Sequence, residues 1–334
     1  MPDTLGENPV EEISRESLEG VIRLTRDLRQ AATELTPKQL RILVDLYYQV
    51  QQSRMRAHNQ LRHAKEEPNA WISMMSRYME RMEKVVGGGL LLAADDQAVG
   101  RWAMAQIGVG PVLAGALQAY IDITKTPTVS GLWALAGLDP TAVWAKGEKR
   151  PWNANLKVVR WKLSDSFVKQ RARDGCLYGQ VYAERKGLEV ARNDAGRFVA
   201  LAEKTLGMRQ IKDADTRAWY EGRYPAGTTA AAVALDQARR EPYLTRVRLA
   251  PGEGQPMLPL GRLELRARRV AVKLFLCHYF EVSFYEHYHT LPPLPYILNK
   301  EPEVHTHYIP PPGYEAIFAG RTAHSPGVSH RATP

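Results

Sequence analysis

Five residues, Ile107-Gly108-Val109-Gly110-Pro111, constrain this chain more than any other stretch. Two glycines around one apolar side chain permit a tight turn with positive φ. A proline straight after them suits the first position of a helix, whose leading amides lack partners within it. Leu113-Ala114 continue that helix, and Ala136-Gly137-Leu138-Asp139-Pro140 close the pattern, which predicts a helix-hairpin-helix. Amides at a helix start bind anions, so Gly108, Val109 and Gly110 are candidate contacts to a nucleic-acid backbone that position the chain without reading bases. A plain Gly-Pro turn in a helical domain has the same local pattern.

Charge is distributed in keeping with a polyanionic partner. The chain carries 45 Lys and Arg against 36 Asp and Glu, a net charge of +9, and such a balance favours nucleic acid. Residues 1–100 hold 13 basic and 15 acidic side chains, whereas residues 101–175 hold 11 basic and 5 acidic. The positive field is therefore expected around the hairpin, with Lys146, Lys149 and Arg150 in a loop and Lys157 and Arg160 on the helix after it.

The fold class expected is all-α, with a helical N-terminal arm, a helix-hairpin-helix domain and a Pro-rich C-terminal tail. After a flexible start over 1–18, residues 19–89 form the arm. Val21, Leu24, Leu28 and Ala32 recur at helical spacing, and Thr36-Pro37 supplies a cap and first-turn proline for a helix from Pro37 to about His63. That length makes it a candidate coiled coil, and hence a candidate homo-oligomer contact. A third helix from about Asn69 to Val86 places Trp71, Met74, Met75, Tyr78 and Met82 on one side, read as core. Gly87-Gly88-Gly89 is read as a hinge, and Leu90 to Ala105 as the helix leading into the hairpin domain, 90–187.

Beyond it, residues 188–260 read as a variable helical insertion, with helices expected over Ala195–Leu206 and Ala230–Arg240 and a linker at Pro251-Gly252-Glu253-Gly254. Residues 261–290 read as a basic amphipathic helix. Leu263, Ala267, Val270, Leu274 and Cys277 form its apolar stripe, and Arg262, Arg266, Arg269 and Lys273 form a neighbouring cationic row. Such a row can follow phosphates or be solvated surface. The tail 291–334, with Pro310-Pro311-Pro312, is expected to be extended and partly disordered.

Two cysteines far apart, Cys176 and Cys277, suit a reducing compartment and give no disulfide framework. The apolar run from Val85 to Ala94 is too short to span a bilayer, so no membrane contact is expected and the cytoplasm is the compartment read. His278, His287, His289, His305 and His307 crowd the C-terminal part beside Glu286 and Glu303. They lack a close-spaced thiolate pair, so neither a metal site nor a cofactor is expected. Ser164, Asp165 and Ser166 read as polar helix surface. Trp144 and Trp152 bracket the basic loop, where they either stack on the bases or sugars of a single strand or cap the core.

Taken together, Ile107 to Pro111, Leu132 through Pro140, the loop Lys146-Gly147-Glu148-Lys149-Arg150 and the helix from Asn153 to Leu163 resemble the C-terminal domain of the DEDD-type, bridge-RNA-guided insertion-sequence transposases. The resemblance covers about residues 100–187. It implies binding to DNA, or to RNA, within a mobile-element lineage. Family members join strands through a serine in this domain, with a RuvC-like acidic metal site supplied upstream. Where the serine belongs, this chain reads Ala145-Lys146-Gly147, and residues 1–100 read as helices without carboxylate-bearing strands. A lysine cannot replace that hydroxyl nucleophile, so catalysis by this chain alone is not expected and its catalytic residues stay unassigned. The alternatives are an active transposase or recombinase subunit working with a partner nuclease or guide RNA, and a helical structural or assembly protein.

Overall fold

The computed structural model describes residues 26–63, 70–208, 210–223, 255–294 and 308–320. Their regular elements are helical, with no strand among the described residues, as the 3.6-residue apolar periodicity predicts. No helix among them is long and apolar enough to cross a membrane. The chain divides into two compact units. Unit 1 comprises 1–159 and 279–334, and unit 2 comprises 160–278. These limits differ from those expected from sequence: they fall inside two helices, between Val159 and Arg160 and between His278 and Tyr279, and not at glycines or prolines.

In unit 1, α1 (Arg26–Thr33), α2 (Pro37–His63) and α3 (Ala70–Asp96) form the arm. Thr36 and Gln39 start α2 as a capping pair: the Thr36 amide donates to Gln39 Oε1 and the Gln39 amide to Thr36 Oγ1. α2 packs on α3, and both pack on α5 (Pro111–Tyr120). Leu40, Val44, Leu90, Ala94, Ala114 and Leu117 are buried there. Arg41 Nε donates to the Ala119 carbonyl at 2.7 Å, tying α2 to α5.

Two arm expectations are corrected. Gly87-Gly88-Gly89 is no hinge, because α3 runs unbroken from Ala70 to Asp96 and the break comes at Gln97. The glycines serve close packing: a Cβ at Gly87 would lie 3.5 Å from Tyr47 Cε2, and one at Gly89 would lie 3.3 Å from Leu43 Cδ2. The stripe from Trp71 to Met82 is not core either. Trp71, Met75 and Met82 are exposed, and the buried residues of α3 begin at Val86, where α5 covers it.

The tail is also less free than expected, over its described part. Residues 308–320 dock on the C-terminal end of the long helix in unit 1: Tyr308 donates to Glu281, Tyr314 Oη to Glu286 at 2.6 Å, and Trp102 Nε1 to the Pro312 carbonyl at 2.8 Å. Phe318 is fully buried against Tyr285 and Tyr314. Tyrosine and tryptophan here satisfy one polar atom each while burying a ring, which proline content alone does not reveal.

Unit 2 contains α8 (Leu177–Asp194), α9 (Val199–Met208) and α10 (Ala214–Glu221). It also holds the larger parts of α7 (Ala154–Gln170) and α11 (Leu260–Tyr288). Phe167, Tyr178 and Phe275 form an aromatic core with centroids 5.0–5.4 Å apart. Val190, Phe198, Ala202, Tyr220, Leu258 and Leu263 form a second cluster. Buried Asn193 holds the Leu258 backbone with both amide atoms, at 3.0 Å each. Expected helices over 230–240 and the linker at 251–254 lie outside the described residues, as do Val21 and Leu24.

Alkaline pH should weaken unit 1. Burial, with a nearby Glu83 carboxylate for Tyr47 and Glu286 for Tyr314, pushes the phenols of Tyr47, Tyr48 and Tyr314 up to about 12 from 10.0. Folded phenols then stay neutral where unfolded ones ionise. Their contribution is full below pH 10 and is lost as pH rises towards 12. Urea midpoints taken across that window should fall, and Tyr47→Phe should reduce the slope; equal slopes in the two proteins would remove Tyr47 from this account.

Candidate nucleic-acid interface

The stretch read as a hairpin holds α4 (Ala98–Ala105), the turn 106–110 and α5. Gln106 N–H caps α4 on the Ala103 carbonyl, and Val109 N–H closes the turn on the Gln106 carbonyl at 3.0 Å. Of the two glycines, only Gly108 needs positive φ, at 98°. Gly110 is extended at φ −95°, ψ 175°, and stands as N-cap with Pro111 in the first helical position. Val109 plugs inward while Gly110 is exposed.

The groove around this helix start measures about 550 Å³ and is lined by Tyr47, Arg54, Glu80, Glu83 and Lys84 beside Pro111 and Val112. Its charges balance. Glu83 accepts from Arg54, Gln51 and Tyr47. Hence this helix start lacks the positive surroundings expected from the regional charge, because the groove cations Arg54 and Lys84 are paired with Glu83 and Glu80.

A second cationic segment of unit 1, the expected loop, sits on the connection from α6 (Val129–Leu135) to α7. Thr128 Oγ1 caps α6 by accepting from Gly131 N–H, and Gly137, at φ 67°, turns the chain so that Leu138 N–H reaches the Trp133 carbonyl at 2.8 Å. The far end of the loop is pinned as well. Asn153 N–H donates to the Leu135 carbonyl at 2.9 Å, and Asn153 Oδ1 accepts from the first-turn amides of Asn155 and Leu156. Gly137 also admits the next layer: a Cβ there would lie 3.1 Å from Lys157 Cδ and 3.4 Å from Trp152 Cγ. Lys157 Nζ stands 3.8 Å from the centroid of the Trp152 ring.

On this stem the segment from Val143 to Arg150 is exposed throughout. Its tip is a turn from Ala145 to Glu148, in which Glu148 N–H meets the Ala145 carbonyl at 3.2 Å, the Ala145 amide donates to Glu148 Oε2, and Gly147 takes φ 99°. Trp144 Nε1 donates to the Glu148 carbonyl at 2.8 Å, and the Arg150 guanidinium lies over the Trp144 ring at 5.4 Å. Among the described residues no carboxylate pairs with Lys146, Lys149 or Arg150. These ordered aromatic and backbone contacts were not legible as pairs in the sequence.

In unit 2 the expected cationic row divides into different roles. Arg266 faces inward, with Nε 2.5 Å from Oε2 of fully buried Glu189 and its guanidinium 4.6 Å from the Phe198 centroid. Arg185 lies 2.5 Å from the other Glu189 oxygen. Lys273 is half-buried, while Arg262 and Arg269 are exposed and pair with no carboxylate among the described residues. Burial, then the charges of Arg262 and Arg266, lower the pKa of Arg269. Burial and the Arg269 charge do the same to Arg160, whose Nε is buried without a hydrogen-bond partner among the described residues. Arg160, Arg262 and Arg269 are therefore a like-charged group.

The remaining candidates resolve into structural roles. Ser164 Oγ donates to the Trp161 carbonyl at 2.7 Å, and Asp165 pairs with Lys169 and Arg268. His278 is buried, its Nδ1 2.9 Å from Tyr178 Oη. No group of three metal-ligating side chains converges among the described residues; His305 and His307 lie outside them. No family model, curated protein or solved structure matches the chain.

Proposed function

We propose that this chain binds nucleic acid by its phosphate backbone, through the loop carrying Lys146, Lys149 and Arg150, with the start of α5 at Gly110 as a second contact. The observation that carries this reading is the loop itself, three exposed cations without carboxylate partners among the described residues, set on a stem pinned by Asn153. Cations left unpaired at a surface keep their full attraction for phosphate, whereas ion-paired ones do not. The likeness of residues 100–187 to DEDD-type transposases supports DNA as the partner and a mobile-element origin. Strand cleavage is outside the proposal, since Lys146 stands in the place of the family's serine.

Fluorescence anisotropy with duplex and single-stranded probes over a salt series tests it. Affinity should fall steeply with salt on both, and failure to bind either, or salt-independent binding, would sink the reading. Gly110→Val then isolates the hairpin. Its backbone is extended and a Cβ meets nothing within 4 Å, so the variant should fold. Affinity should drop several-fold as the side chain screens the amides; unchanged affinity in a natively folded variant confines binding to the loop. Nicked or joined DNA in magnesium, retained through purification, would place the chain among the active recombinases instead.

A further inference from the structure

We infer that Trp144 is a stacking platform for an unpaired base, so that the loop binds single strands in preference to duplex. This rests on the backbone-binding reading and extends it from charge to strand type.

Four observations in unit 1 converge. Trp144 retains 36% of its surface exposed in a segment whose other residues, Val143 among them at 88%, project from the core. The exposed third of the indole leaves apolar area in water, and a base is a flat partner that would cover it. The ring is also held still: Nε1 donates to the Glu148 carbonyl, Arg150 lies over it, and the Trp152 ring stands 6.3 Å away at 59°. Trp152 is in turn set by Gly137 and Lys157. Binding to a ring already fixed avoids the entropy of ordering it.

The tilt between the two indoles decides how a base would enter. At 59° they form no parallel slot, so the base stacks on the open part of Trp144 and is not sandwiched. Lys146 lies in the turn and Lys149 and Arg150 directly follow it, where the sugar-phosphate on either side of that base can meet them. In a duplex the faces of paired bases are already stacked, which removes the aromatic part of the contact and leaves only the phosphate part.

Three probes of equal length separate these contributions: a thymine oligomer of about 12 nucleotides, the same oligomer lacking its bases, and a duplex. The native chain should bind the thymine oligomer about tenfold more tightly than the baseless one, which is about 1.4 kcal/mol for one stacked base. Trp144→Ala should remove that preference, costing the thymine oligomer about tenfold more than the baseless oligomer and the duplex, which lose only what the placing of Arg150 contributes, and Trp144→Phe should restore part of it. The side chain is exposed, so the variant should fold, and circular dichroism checks it. Equal affinity of the native chain for both single-stranded oligomers, or an equal loss on all three probes in Trp144→Ala, overturns the platform while leaving backbone binding standing. No binding to any probe overturns both.

Discussion

Glutamine in place of Glu189 should lower stability by about 3 kcal/mol, towards the lower end of the range for breaking a buried ion pair. The carboxylate is fully buried between Arg185 and Arg266, and Arg192 approaches it at 4.0 Å. Glutamine keeps the shape but brings an N–H donor against a guanidinium and leaves the cations without their counter-charge. The cost stays near the lower end because Arg185, Arg192 and Arg266 retain 28%, 44% and 37% side-chain exposure and can recover water. Urea unfolding of the full chain measures it, with Arg262→Ala as the surface comparison, expected within about 0.5 kcal/mol of the native protein. A Glu189→Gln variant as stable as that comparison would show the network to be dispensable.

Alanine at Lys146, Lys149 and Arg150 together should produce the largest loss of binding. Each duplex phosphate contact contributes a slope of about 0.9 in the logarithm of salt concentration, so three contacts remove about 2.7 from it. At about 0.1 M salt that corresponds to roughly two to three orders of magnitude in affinity, and the loss should be uniform across sequences because phosphates carry none. Folding should be untouched, as these side chains are exposed and Arg150 packs only on Trp144 among the contacts that place it. A slope altered by less than about 1 would take the loop out of the interface.

How much of this was legible depended on the range of the interaction concerned. The start of α2 at Pro37, the turn at Gly108 and the proline opening α5 are local events, written in adjacent residues, and all three form where the sequence places them. The cationic row from Arg262 to Lys273 is also correctly helical. Its meaning depends on Glu189, 77 residues from Arg266 in the chain, and no periodicity reveals that partner. The same holds for the loop: Lys146 and Arg150 are visible as charges, whereas the support of Trp152 by Gly137 depends on a fold-back through Asn153. Gly87 to Gly89 misled for a related reason. Glycine signals a break only when nothing fills the groove it leaves, and here Leu43 and Tyr47 fill it.

That groove gives the arm a conditional stiffness. Each helical glycine is about 1 kcal/mol worse than alanine, so three in succession oppose the rod by roughly 3 kcal/mol. The contacts of α2 along this stretch offset that penalty. Straightness of α3 at the glycines and attachment of α2 are therefore linked. When α2 lifts away, the weakest turn of α3 loses its cover in the same event, and a single rod becomes two shorter ones with a swivel between them. Amides at Gly87 to Gly89 would then exchange with solvent at the frequency of α2 detachment, reporting from the middle of one helix on the docking of another.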